Sequence, residues 1–176
     1  MFITTTFEDL ASEVNGNFQQ IDKKYPGNRG SFVHVSTYIL EFNYRDINVH
    51  VKYELGSHNS GLIECKLPRQ VDNCAFSIET KSQFYQLLNR RKPSLKIISK
   101  SSQLTNFIEL NKGFMDLCEC ARRERFEPPI IGKNDADGYL LSCKFSLVFN
   151  NKELVLRPFV HFYKSLIDLF LDYRVK

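Results

Sequence analysis

Tyr38-Ile39-Leu40-Glu41-Phe42-Asn43-Tyr44-Arg45-Asp46-Ile47-Asn48-Val49-His50-Val51-Lys52-Tyr53 is the stretch that decides the fold. Side chains of a strand point to opposite faces in turn, so a hairpin read in the correct register must sort polar from apolar residues. With Arg45-Asp46 as a two-residue turn, Tyr44 faces Ile47, Phe42 faces Val49, Leu40 faces Val51 and Tyr38 faces Tyr53. Every pair is apolar. The other face carries Asn43 with Asn48, Glu41 with His50 and Ile39 with Lys52, and a slip of one residue would scramble both sets.

Working outward, a second hairpin is expected near the C-terminus. With Asn150-Asn151 as its turn, Leu147 pairs with Leu154 and Phe145 with Leu156, while Tyr139, Leu141, Cys143 and Phe149 extend the same face. Further strands are expected near Phe18 to Ile21, from Phe32 onward, and at Leu62 to Leu67, Cys74 to Ile78 and Leu95 to Ser99, for a sheet of about six to eight strands. Tyr25-Pro26-Gly27-Asn28-Arg29-Gly30 reads as a loop.

Four segments have helical spacing. Residues 6 to 15 place Phe7, Leu10, Ala11 and Val14 on one face, with Thr5 or Thr6 as a cap and Gly16 as the stop. A short helix is expected at residues 82 to 90. A long one follows from about Thr105 to Arg125, striped by Phe107, Ile108, Asn111, Phe114, Cys118 and Ala121 and ended by Pro128-Pro129. The last is expected to begin at Pro158, with Phe159, Phe162, Leu166, Leu169 and Tyr173 inward. Strands come in adjacent runs, so the expected class is α+β: a mostly antiparallel sheet of hairpins with N-terminal, central and C-terminal helices packed on one face. With no repeat, no low-complexity tract and no linker, residues 1 to 176 read as a single globular domain.

Apolar runs of about four residues fall far short of the roughly 20 that span a bilayer, so no membrane insertion is expected. Met1-Phe2-Ile3, followed by three threonines and two acids, lacks the plan of a secretory signal, and five cysteines are an odd number to pair. Cytoplasmic localisation with reduced thiols is the expectation.

The chemistry-bearing motifs are few. Asn134-Asp135-Ala136-Asp137-Gly138 has the outline of a calcium loop, but with Gly138 in the glycine position the ligand places fall on Lys133, Asp135, Asp137 and Lys144. Two ammonium groups cannot serve, and the segment reads as an Asx-rich turn. Cys118 and Cys120 point about 200° apart on a helix and cannot share one ion, and the four histidines lie in separate elements; no metal and no cofactor is expected. Gly27-Asn28-Arg29-Gly30 lacks the helix a phosphate loop needs. No Gly-x-Ser-x-Gly elbow is present. The hairpin does set Glu41 against His50, a couple able to act in acid/base catalysis or to form a plain cross-strand ion pair, and a cysteine-based site is the other enzymatic alternative.

Charge is distributed unevenly. The chain carries a net charge of only +4, yet between Lys81 and Lys100 lie Lys81, Arg90, Arg91, Lys92, Lys96 and Lys100 with no acidic residue. These six are the expected partner-binding residues, and the expected function is non-catalytic binding of a macromolecule, either an acidic protein or a nucleic acid. Fifteen Phe and eight Tyr point to an aromatic core, with a third alternative that the sheet opens a pocket for an apolar small ligand.

Overall fold

The computed structural model describes residues 3–27, 30–68, 74–81, 95–124 and 126–172. Among them the elements run α1 (Ile3–Val14), β1 (Asn17–Pro26), β2 (Phe32–Tyr44), β3 (Ile47–Leu55), β4 (Ser60–Leu67), β5 (Phe76–Thr80), β6 (Leu95–Ser99), α2 (Ser102–Leu110), α3 (Lys112–Glu124), β7 (Ile130–Asp135), β8 (Gly138–Ser146) and α4 (Leu156–Asp172), the last entered through a 3-10 turn at Lys152–Val155. The strands form one eight-stranded sheet in the order β1-β2-β3-β4-β8-β7-β5-β6, antiparallel throughout. This is an α+β fold.

The β2–β3 hairpin has the register read from its sequence, from Tyr44 opposite Ile47 to Tyr38 opposite Tyr53. Arg45 and Asp46 take φ of 51° and 64°, the mirror-type turn whose twist matches that of the flanking strands. Two adjacent rows of side chains then run across all eight strands. One reads Phe18, Leu40, Val51, Ile63, Cys143, Ile130, Ile78, Ile97; the next reads Asn17, Glu41, His50, Glu64, Ser142, Ile131, Ser77, Ile98. The first row faces the helices and the second faces away, which is the half-buried logic of an antiparallel sheet.

Aromatic rings fill the space between sheet and helices. Phe7 of α1 meets Tyr53 edge-on at 5.2 Å, and Phe159 of α4 stacks on Phe145 at 5.0 Å while Phe126 closes on both at 5.1 and 5.5 Å. Farther along α4, Phe170 lies 4.8 Å from Tyr139, and α3 packs on α4 through Phe114 and Phe162. Each full burial of such a side chain contributes about 2 kcal/mol from area alone. At the sheet's end Arg45 holds the hairpin turn to α4, bonding Asp168 at 3.0 Å and Asp172 at 2.7 Å.

Several readings need correction. The second hairpin does not form: the chain leaves the sheet after Ser146, where the Leu147 N–H donates to the Asn59 carbonyl, and residues 152–155 coil into α4. β8 pairs instead with β4 and with β7, a strand that the sequence reading missed behind Pro128-Pro129. The long central helix is two helices, broken at Asn111, whose extended backbone ends α2 while its side chain caps the Phe114 N–H at 3.1 Å. The last helix begins at Leu156, placing Pro158 in its first turn, where no N–H is required. α1 does stop just before Gly16, where Asn15 takes the left-handed conformation (φ 52°) and the Gly16 N–H bonds back to the Ala11 carbonyl; the absent Gly16 side chain is what allows its close approach to Glu41 and Phe42. The helix expected at residues 82 to 90 lies outside the described residues.

Candidate functional site

All four described helices cover one face of the sheet and leave the other open. The row Glu41, His50, Glu64, Ser142 crosses β2, β3, β4 and β8 on that open face. His50 Nδ1 lies 3.1 Å from Glu41 Oε1, as the hairpin register requires, and Glu64 stands opposite His50 on its other side. With the His50 and Glu41 side chains 29% and 51% exposed, the pair is an orienting contact on a wetted surface. It can hold an imidazole in place, but general-base work also needs a substrate seat in reach of the other ring nitrogen.

Beside His50 the open face sinks into a trough of about 840 Å³. Its floor is the alternate residues of β2, namely Val33, Val35, Thr37 and Ile39; Ile21, Lys23 and Tyr25 of β1 form one bank and His50, Lys52 and Glu54 of β3 the other. Val35 is only 7% exposed, because the turn after β3 folds over it: Gly56 adopts φ 120° with no room for a Cβ against the His34 carbonyl, and Ser57 and His58 close that end. Lys52 pairs with Glu54 at 3.6 Å, and Glu54 also accepts the Ser57 hydroxyl at 3.3 Å. Lys23 has no ion-pair partner among the described residues. The strand expected near Phe18 to Ile21 runs on to Pro26, so Tyr25 and Pro26, expected in a loop, belong to β1; that Ile21, Lys23 and Tyr25 flank β2 and that Ser57-His58 closes the end could come only from the fold.

At the other edge of the sheet stands the basic segment. Arg90, Arg91 and Lys92 lie outside the described residues. Lys96 is exposed on the open face of β6, where Glu79 stands directly opposite it on β5, and Lys100 is exposed just past the strand's end. Lys81 lies close enough to Cys118 for its charge to act on that thiol. Ile98 and Ile131, 41% and 43% exposed, share the open face with Lys96. Five strand spacings, roughly 24 Å, separate β6 from β3, so Lys96 and Lys100 do not join Glu41 and His50 in one site.

The remaining motifs fold into ordinary structure. Asp135 precedes the two-residue β7–β8 turn and Asp137 lies in it, and the Lys66 ammonium donates to both carboxylates at 3.3 Å; these hydrogen bonds, the one to Asp137 first, raise the Lys66 ammonium above its ordinary value. Among the described residues no group of three or more His, Cys, Asp or Glu could hold a metal ion. Of the Gly27-Asn28-Arg29-Gly30 motif, Gly27 follows β1 and Gly30 precedes β2, while Asn28 and Arg29 lie outside the described residues. All five cysteines carry thiols; burial pushes Cys65 and Cys118 up to about 12, the opposite of what an activated thiolate nucleophile requires. No helix of the described residues is long and apolar enough to cross a membrane. Compared with known protein families, curated proteins and solved structures, the chain matches none.

Proposed function

We propose that the chain is a non-catalytic binding protein that engages an acidic protein partner through the β6 end of its open sheet face and the basic segment around residues 81 to 100. One observation carries the reading. Lys96 stands on an uncovered face beside the half-exposed Ile98 and Ile131, a mixture of cation and apolar surface that suits a protein contact. A nucleic acid is the less favoured partner, since the exposed apolar side chains beside Lys96, Ile98 and Ile131, are aliphatic and offer no ring for a base to stack on. The test is a titration with poly-L-glutamate and with a mixed-sequence oligonucleotide at about 50 mM salt, where charge contacts are strongest. Poly-L-glutamate should bind, and Lys96→Glu with Lys100→Glu should weaken it at least about tenfold. Absence of binding to either polyanion would sink the reading, and binding of the oligonucleotide alone would transfer it to nucleic acid.

A second reading, a small enzyme using His50 oriented by Glu41, is favoured by the 3.1 Å contact between them. It predicts a function lost in His50→Ala and untouched by the lysine reversals.

A further inference from the structure

We infer that the trough over β2 binds a ligand with an extended aliphatic chain and an anionic head, of the class of a medium- or long-chain carboxylate. Its floor is a stripe of four alternate residues, Val33, Val35, Thr37 and Ile39, aliphatic but for the Thr37 hydroxyl and running along one strand for about 20 Å. From Ser36 onward the backbone of β2 is paired on both sides, with β1 and with β3, so the main chain under Thr37 and Ile39 offers no free donor or acceptor, while Val33 to Val35 pair with β1 and are met on the other side by the turn at Gly56. A peptide laid on it would bury N–H and C=O groups without partners, whereas an alkyl chain has none to lose.

The head is fixed by charge at one end. The register sets Lys23 beside Val35, and the turn at Gly56 packs on the same Val35, so Lys23 and Ser57-His58 flank one end of the stripe. Among the trough's charged residues Glu54 is the only acid, and it is engaged by Lys52 and Ser57; Lys23 is left to meet an anion. The turn is held in place beforehand, since the Gly56 N–H bonds Asn59 Oδ1 at 3.1 Å and the Asn59 carbonyl accepts the Leu147 N–H. The volume of about 840 Å³ lies within the range of roughly 300–1,000 Å³ typical of small-molecule sites.

The experiment is a titration of the full chain with ¹³C-carboxyl dodecanoate followed by NMR, with acetate as the head without a chain. Dodecanoate should saturate one site per chain and acetate should show none. Lys23→Glu, an exposed change that removes the head contact, and Thr37→Lys, which fills the floor, should each weaken binding at least about tenfold with the melting temperature retained. Lys96→Glu, roughly 34 Å away at the far edge of the sheet, should leave it unchanged, which separates this site from the polyanion surface. Failure of dodecanoate to bind saturably, or binding indifferent to both Lys23→Glu and Thr37→Lys, overturns the inference. So does a dimer in sedimentation equilibrium that Thr37→Lys dissociates, which would give the trough to a second copy of the chain.

Discussion

Tyr53 and Tyr163 are both fully buried in the aromatic core, yet their hydroxyls have opposite fates. Tyr163 donates to the Ile63 carbonyl at 3.1 Å, while the Tyr53 hydroxyl, beneath Phe7 and Phe145, has no hydrogen-bond partner among the described residues. A buried hydroxyl without a partner forfeits its bonds to water and gains nothing in return, at about 1–3 kcal/mol. Tyr53→Phe should therefore keep the edge-on ring contacts and raise stability by about 1 kcal/mol, whereas Tyr163→Phe should lower it by about 1 kcal/mol. Urea denaturation with an unchanged slope reads both, and a loss for Tyr53→Phe as large as that for Tyr163→Phe would mean that the Tyr53 hydroxyl is bonded after all. The hairpin pattern in sequence brings Tyr53 opposite Tyr38 on the buried face. It carries no information about where a phenol oxygen ends, because that depends on what the helices place above the sheet.

Among the elements, the split between α2 and α3 rests on Asn111, which closes one helix with an extended backbone and opens the next with its side chain. Asn111→Ala removes the cap and should cost about 1 kcal/mol, measured by urea unfolding; no loss would show that packing of Gly113 on the Phe162 backbone suffices to break the chain there. This break was legible in principle, since Asn-Lys-Gly is a poor helix interior, but an apolar stripe running from Phe107 to Ala121 outweighed it. The β2–β3 hairpin was legible in full, because a two-residue turn and four apolar pairs leave one register. The false hairpin at Asn150-Asn151 failed for an instructive reason. Leu154 and Leu156 satisfy period 2 over too few residues, while Leu156, Phe159, Val160, Tyr163, Ile167 and Phe170 satisfy the helical period over four turns and are all buried. The longer pattern buries more, and it won. β7 stayed hidden because Gly132 breaks the alternation of Ile130 and Ile131, and its small size is required where Phe76 and Tyr139 close over it.

For the whole molecule, the decisive fact is that the described helices all lie on one face of an eight-stranded sheet and none of them covers the other. Sequence reading could foresee one-sided helices, but not the strand order that brings Glu64 against His50, lays Lys23 beside Val35, or puts Lys96 at the opposite edge from the trough. Strand order is set by pairings between distant segments, such as β4 with β8, whose local sequence says nothing of the partner. The sidedness itself can be measured on two neighbours. Ile130 is fully buried against the helices and Ile131 is 43% exposed on the open face, so the same truncation samples both sides of one strand. Ile130→Ala should cost about 3 kcal/mol through lost burial and the cavity left behind, and Ile131→Ala no more than about 0.5 kcal/mol. If Ile131→Ala proves as costly as Ile130→Ala in dilute solution, and its cost falls on further dilution, the open face is covered by a second copy of the chain, and the surface assigned here to a partner is already occupied.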